Sequence, residues 1–182
     1  MIEDAPFIDA GVFLGMHHED DRIRKRSLAF FRSHFARQVR MNFEQIGICD
    51  AIVWRQSRQA QDLYYPFMDR LHSEMRILRE GYAFREINLA LDRRELRGLR
   101  PEQALLAGQA LHREGVLFTH DPALRGLACL RSRLGNFDAL DPRAAFPPDL
   151  QALYESSRSF IHTAEDWDHV ETRHLHPLDH PA

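Results

Sequence analysis

The alternation of short apolar runs with longer helical ones is what most restricts the fold of this chain. "PFIDAGVFLG" reads as a first strand over residues 6–14, a helix follows over 20–38, and "QVRMN" reads as a second strand ending near Asn42. After several helical stretches, "VLFT" supplies a third strand ahead of His120 and Asp121. Strands this short and this uniformly apolar need cover on both faces, which favours a parallel sheet. The order strand, helix, strand, several helices, strand, helix predicts an α/β protein with helices layered on a short, mostly parallel sheet.

Helix signals fill the intervals. Asp20 or Asp21 is suited to cap the helix over 20–38, and Ile46, Cys49, Ile52 and Val53 share one side of a helix starting at Phe43. Helical content continues from Leu63 through Leu78 with a break expected at Pro66, and resumes over 84–97. Pro101 opens "PEQALLAGQALHREG", which Gly115 closes, and Pro122 starts a helix reaching Leu134. Past Arg143 the pattern weakens to one helix from Asp149 and a stretch, "IHTAEDWDHVETRHLHPLDHPA", without a period. The expected organisation is an α/β domain over 1–143 and a C-terminal helix with an extended, His-rich tail over 144–182.

Composition narrows the setting. The chain has 182 residues, 44% of them hydrophobic, enough for one principal core. Its net charge of -3 argues against a protein that grips duplex DNA by electrostatics alone. No apolar run reaches membrane-spanning length, "MIEDAPF" lacks the pattern of a secretion signal, and Cys49 and Cys129 form no CxxC pair. These features point to the cytoplasm, with no membrane partner. Lys25 is the only lysine among 24 Lys and Arg residues. Arginine's planar fork suits phosphate, though genomic composition bias yields the same count.

Acids stand where such a sheet would bind a ligand. Asp9 lies on the first strand, Glu44 directly after the second and Asp121 directly after "VLFT", so neighbouring strands would gather them at one sheet edge. Clustered carboxylates repel and call for a cation, and Mg²⁺ or Mn²⁺ is the hard ion that oxygen ligands prefer. Each acid also has a structural alternative. Asp9 can bond to nearby backbone donors, Glu44 can complement the positive start of its helix, and Asp121 can cap the helix at Pro122.

In these segments the chain resembles a PIN-like nuclease domain. "FIDAGVFLG" is similar to that family's opening strand and first acid, "NFEQIG" to its second acid, and "EQALLAGQALHREGVLFTHD" to its helix, strand and final acid, over roughly residues 6–125. The resemblance implies a three-layer PIN-like fold and a metal-dependent ribonuclease, often dimeric. Asp9, Glu44 and Asp121 would be the catalytic acids, and Asp9, Glu44, Glu102 and Asp121 the metal ligands. The chain departs from the pattern at Gln103, where the family has an acid, with Glu102 beside it, and at Gly11, where a small polar residue is common.

The mechanism so implied is hydrolysis of RNA, single-stranded or structured, by a metal-bound water. His17 and His18 near the first strand, with Arg55 and Arg58, are candidate substrate contacts, and Arg22, Arg24 and Arg26 could also follow a phosphate backbone. The competing expectation is a non-catalytic or weakly active interaction protein, binding a second copy or another protein such as an enzyme of the same pathway. His162, His169, His174, His176 and His180 match no zinc-binding spacing and read as part of a polar tail.

Overall fold

The computed structural model describes residues 5–141 and 143–163. Strand β1 is Phe7–Ile8, β2 is Gln38–Asn42, β3 is Arg76–Glu80 and β4 is Leu117–Phe118. They form one parallel sheet in the order β3-β2-β1-β4. The chain moves outward from β1 through β2 to β3 and then returns to add β4 on the other side of β1. That reversal makes the carboxyl ends of β1 and β4 the switch point of the sheet, the usual ligand position in such folds.

Alternation along the strands splits the interior into two layers. Ile8, Val39, Met41 and Phe118 face one core with Phe13, Phe31, Ile52, Tyr64, Phe67 and Leu71. Phe7 and Leu117 face the other with Leu96, Leu106, Ala107 and Ala110. The first is built by α1 (Ala10–Leu14), α2 (Asp21–Ser33), α3 (Phe43–Val53), α4 (Arg58–Glu74) and α8 (Pro148–Ser157). The second is built by α5 (Phe84–Asp92), α6 (Pro101–His112) and α7 (Pro122–Gly126). The result is a three-layer α/β arrangement, the coarse architecture expected.

Several boundaries differ from expectation. The first strand stops at Ile8, because Asp9 caps a short helix through its side chain, which accepts from the Val12 amide at 2.7 Å. α2 ends at Ser33, five residues early, and α4 runs unbroken through Pro66. "RILRE", expected to be helical, is β3, held by five register pairs to β2. The helix expected from Pro122 to Leu134 is instead α7 followed by a 3-10 stretch over Ala128–Arg133. Just past α6, Glu114 takes the positive φ of 53°, and Gly115 serves a different purpose: a Cβ on it would stand 2.5 Å from the Phe7 ring.

The segment after Arg143 joins the first core. α8 packs on α4, Phe160 is fully buried, and the Tyr154 hydroxyl donates to the Met16 carbonyl at 3.0 Å. His162, expected in the tail, is buried and its Nε2 bonds the Leu14 carbonyl at 2.7 Å. His169, His174, His176 and His180 lie outside the described residues. Among the described residues no helix is long and apolar enough to cross a membrane.

Candidate functional site

The strand register assembles a polar row at the carboxyl edge of the sheet. Phe7 stands opposite both Arg40 and Leu117, and Asn42 opposite Glu80. Two residues beyond Phe7 and its partners, Asp9, Asn42 and Thr119 therefore come level with Glu80 on the face toward α6. Asp9, Asn42 and Thr119 are all buried.

Asp9 is the centre of this row. Its Oδ1 accepts from the Val12 amide at 2.7 Å and its Oδ2 accepts from the Thr119 hydroxyl. The Thr119 oxygen in turn accepts from the Asp121 amide at 2.9 Å, so Thr119 ties the two acids together. Burial pushes the Asp9 carboxyl up to about 6; the charge of Asp121 adds to the rise, while the Thr119 and Val12 hydrogen bonds oppose it.

Asp121 has two tasks. Its Oδ1 caps α7, accepting from the Ala123 amide at 2.8 Å and the Leu124 amide at 3.2 Å. Its Oδ2 accepts from the Gln103 side-chain amide and lies 3.4 Å from Arg100 Nη2. Gln103, not Glu102, is therefore the residue of α6 that turns inward, and its own carbonyl accepts from the Arg100 amide at 3.0 Å. Glu102 pairs with Arg100 Nε at 3.0 Å. Arg100 thus stands between Glu102 and Asp121 as an internal counter-charge.

Glu44 lies in the first turn of α3, where Tyr82 donates its hydroxyl to Oε1. Burial raises its pKa, and the charge of Glu102 acts in the same direction. The neighbouring Gln45 turns inward and accepts from the Ala10 amide at 2.9 Å, locking the start of α1 to α3. The electrostatic pairing is therefore Asp9 with Asp121 and Glu44 with Glu102. Among the described residues no three His, Cys, Asp or Glu side chains gather as a ready metal-binding group.

The donors nevertheless suit a hydrated hard ion, which commonly takes one or two protein carboxylates plus waters and a phosphate. Asn42 adds a further oxygen at the same level. Gln109 donates from Nε2 to Glu86 at 3.1 Å, so its Oε1 faces Asn42 Nδ2 at 2.8 Å. That orientation leaves Asn42 Oδ1 buried with no hydrogen-bond partner among the described residues. A buried oxygen in this condition favours a cation or a water beside it.

Other sequence candidates lie elsewhere. His17 is buried among Tyr64, Phe67, Tyr154 and Phe160, with Nε2 2.8 Å from Ser157 Oγ. Ser157 uses its proton on the Tyr154 carbonyl, so His17 Nε2 is the donor and the ring is neutral. His18 accepts from the Asp20 amide at 2.9 Å and stands edge-on to His162. His120 turns away from the acids to stack on Phe137, with Ser27 Oγ at 2.9 Å. Arg24 pairs with Asp21 and Arg26 with Asp138. Arg55 and Arg58 follow the far end of α3, about 16 Å along the helix from Glu44, and Arg58 pairs with Asp62. Cys49 is buried, which pushes its thiol pKa upward.

Sequence reasoning missed Thr119, Arg100, Asn42 and Tyr82. Thr119 had a visible signal, since a strand residue two places before Asp121 and level with Asp9 must share their face. Arg100 had none, because its role depends on where α6 begins in space.

A family model matches residues 1–167, that of DUF6190, a family of unknown function, and the chain belongs to that family. This corrects the expected membership among PIN-like nucleases. The match takes in all of residues 6–125 on which that resemblance rested, and it names no nuclease. The quoted motifs were short, and an acid just past a buried parallel strand is a feature that many α/β sheets share. No curated protein and no solved structure matches the chain.

Proposed function

We propose, for this member of DUF6190, a divalent-cation-dependent hydrolase of RNA phosphodiester bonds, with its site at the carboxyl edge of β1 and β4. The observation that carries this reading is Asp9, a carboxylate buried at the sheet's switch point with its pKa raised to about 6 and with Asp121 beside it. Such an arrangement is costly in the absence of a cation.

In this reading Asp9 and Asp121, with Asn42 and Glu44, would hold Mg²⁺ or Mn²⁺, which would supply a more acidic water and offset charge on the phosphate. Glu44 takes the proton of the attacking water as the new P–O bond forms, and its raised pKa suits that task. The old P–O bond breaks and solvent protonates the departing oxygen. Gln103 and Thr119 keep Asp121 and Asp9 oriented.

A second reading follows from Arg100. Its guanidinium already sits between Glu102 and Asp121, and Gln103 brings no charge, so the acid edge is partly neutralised within the chain. On this reading the protein is a non-catalytic interaction module. Titration with Mn²⁺ alongside RNA cleavage separates the two, using the intact protein, Asp9→Asn, Asp121→Asn and Glu44→Gln. The hydrolase reading expects Mn²⁺-dependent cleavage that falls by about 100-fold or more in Asp9→Asn while the fold persists. Absence of both Mn²⁺ binding and cleavage in the intact protein would overturn the hydrolase reading and leave the second.

A further inference from the structure

Two large aromatic side chains lie open to solvent beside the acid edge. Phe43, the first residue of α3, is 61% exposed, and Phe84, the first residue of α5, is 75% exposed. β2 and β3 are adjacent and in register to their last residues, so the two rings leave the same edge of the sheet on neighbouring connections. The connection after β3 approaches Phe43 closely: a Cβ on Gly81 would stand 4.0 Å from its ring. The Tyr82 hydroxyl bonds Glu44, joining the two connections beside the rings.

Exposing two phenylalanines is unfavourable unless something covers them. The polar Tyr82–Glu44 link breaks the apolar surface, which argues against the continuous patch that a second copy of the chain would need. Arg85, exposed next to Phe84, holds no ion pair among the described residues and supplies positive charge where a phosphate would pass. Stacking faces beside a cation are the elements with which proteins hold unpaired bases, because every base has a π face.

We infer that Phe43 and Phe84 form a stacking platform for unpaired RNA bases, with Arg85 on the backbone, so that the substrate class is single-stranded RNA. This rests on the hydrolase reading for its position but not for its test. Duplex RNA keeps its bases stacked inside and offers the rings nothing equivalent.

The experiment is fluorescence anisotropy with labelled oligouridylate of about 12 nucleotides, in EDTA so that no cleavage occurs. The proteins compared are the intact chain, Phe43→Ala, Phe84→Ala, Phe43→Leu, Phe84→Leu and, as control, Trp54→Ala, an exposed aromatic at the other end of α3. Each Phe→Ala change is expected to weaken binding about tenfold, each Phe→Leu change nearly as much, and Trp54→Ala less than about twofold. A duplex of the same length should bind more weakly than the single strand and be insensitive to all five changes. Absence of single-strand binding, or binding unaltered in both alanine variants, overturns the platform. If the platform holds but Mn²⁺ never elicits cleavage, the hydrolase reading alone fails.

Discussion

Thr119 donates its hydroxyl proton to Asp9 across 110 positions of sequence while its oxygen accepts from the Asp121 amide. A single hydroxyl therefore ties together both acids at the carboxyl edge of β1 and β4. Thr119→Val keeps the shape but removes the donor and the acceptor, leaving a buried carboxylate and a part-buried amide each short of a partner. The expected loss is about 2 kcal/mol at neutral pH. Urea denaturation of the variant, with Asp9→Asn and the double variant completing a cycle, should show coupling between the two sites. Strictly additive changes in stability would contradict the link.

Asp9 should make the protein less stable as pH rises. Its folded pKa, about 6, lies above the ordinary 3.8, so the folded state binds the extra proton between those values. The destabilisation is absent below the unfolded pKa and complete above the folded one. A shift of this size corresponds to roughly 3 kcal/mol. Asp9→Asn is therefore expected to be more stable than the natural chain near about pH 7.5, with the difference vanishing by about pH 3. Chemical denaturation at both pH values measures it.

His17 has the opposite sign. Burial lowers its pKa to about 3 from the ordinary 6.5, so the unfolded chain binds the extra proton and stability falls as pH drops through that interval. His17→Phe fits the surrounding aromatic cage and removes the titration, at the cost of the Ser157 hydrogen bond. The acid unfolding midpoint, followed by circular dichroism, should move down by about one pH unit. An unchanged midpoint would show that His17 is not the group whose protonation unfolds the core.

The packing of α5 on α6 depends on Gly108. A Cβ there would lie 2.8 Å from that of Ala90 and 2.9 Å from the Glu86 carbonyl oxygen, which is backbone and cannot swing aside. Gly108→Ala is expected to cost about 1–3 kcal/mol despite its higher helix propensity. A gain in stability in urea denaturation would mean that the two helices can separate without penalty.

The β2 strand "QVRMN" and the β4 run were legible from apolar runs bounded by turn signals, and α6 from Pro101 and its long apolar content. The segment after Ile8 was not. "AGVFL" is apolar whether strand or helix, because every side chain but that of Gly11 is buried. β3 was hidden for a related reason, since "RILRE" follows a helix without a break and becomes a strand only by pairing with β2. The inward turn of Gln103 in place of Glu102 depended on the rotational phase of α6, which one residue shifts by about 100°.

By itself the sequence determined that buried strands would alternate with covering helices and that acids would follow two of those strands closely. These are consequences of local pattern, of burial, and of the chain's need to satisfy its backbone. Tertiary structure alone decided that β4 lies against β1 and not beyond β3, and so brought Thr119 and Asp121 to Asp9 while leaving Glu44 with Tyr82 and Glu102. Strand order is chosen by the burial of whole faces across long separations, and no short stretch of residues encodes that choice.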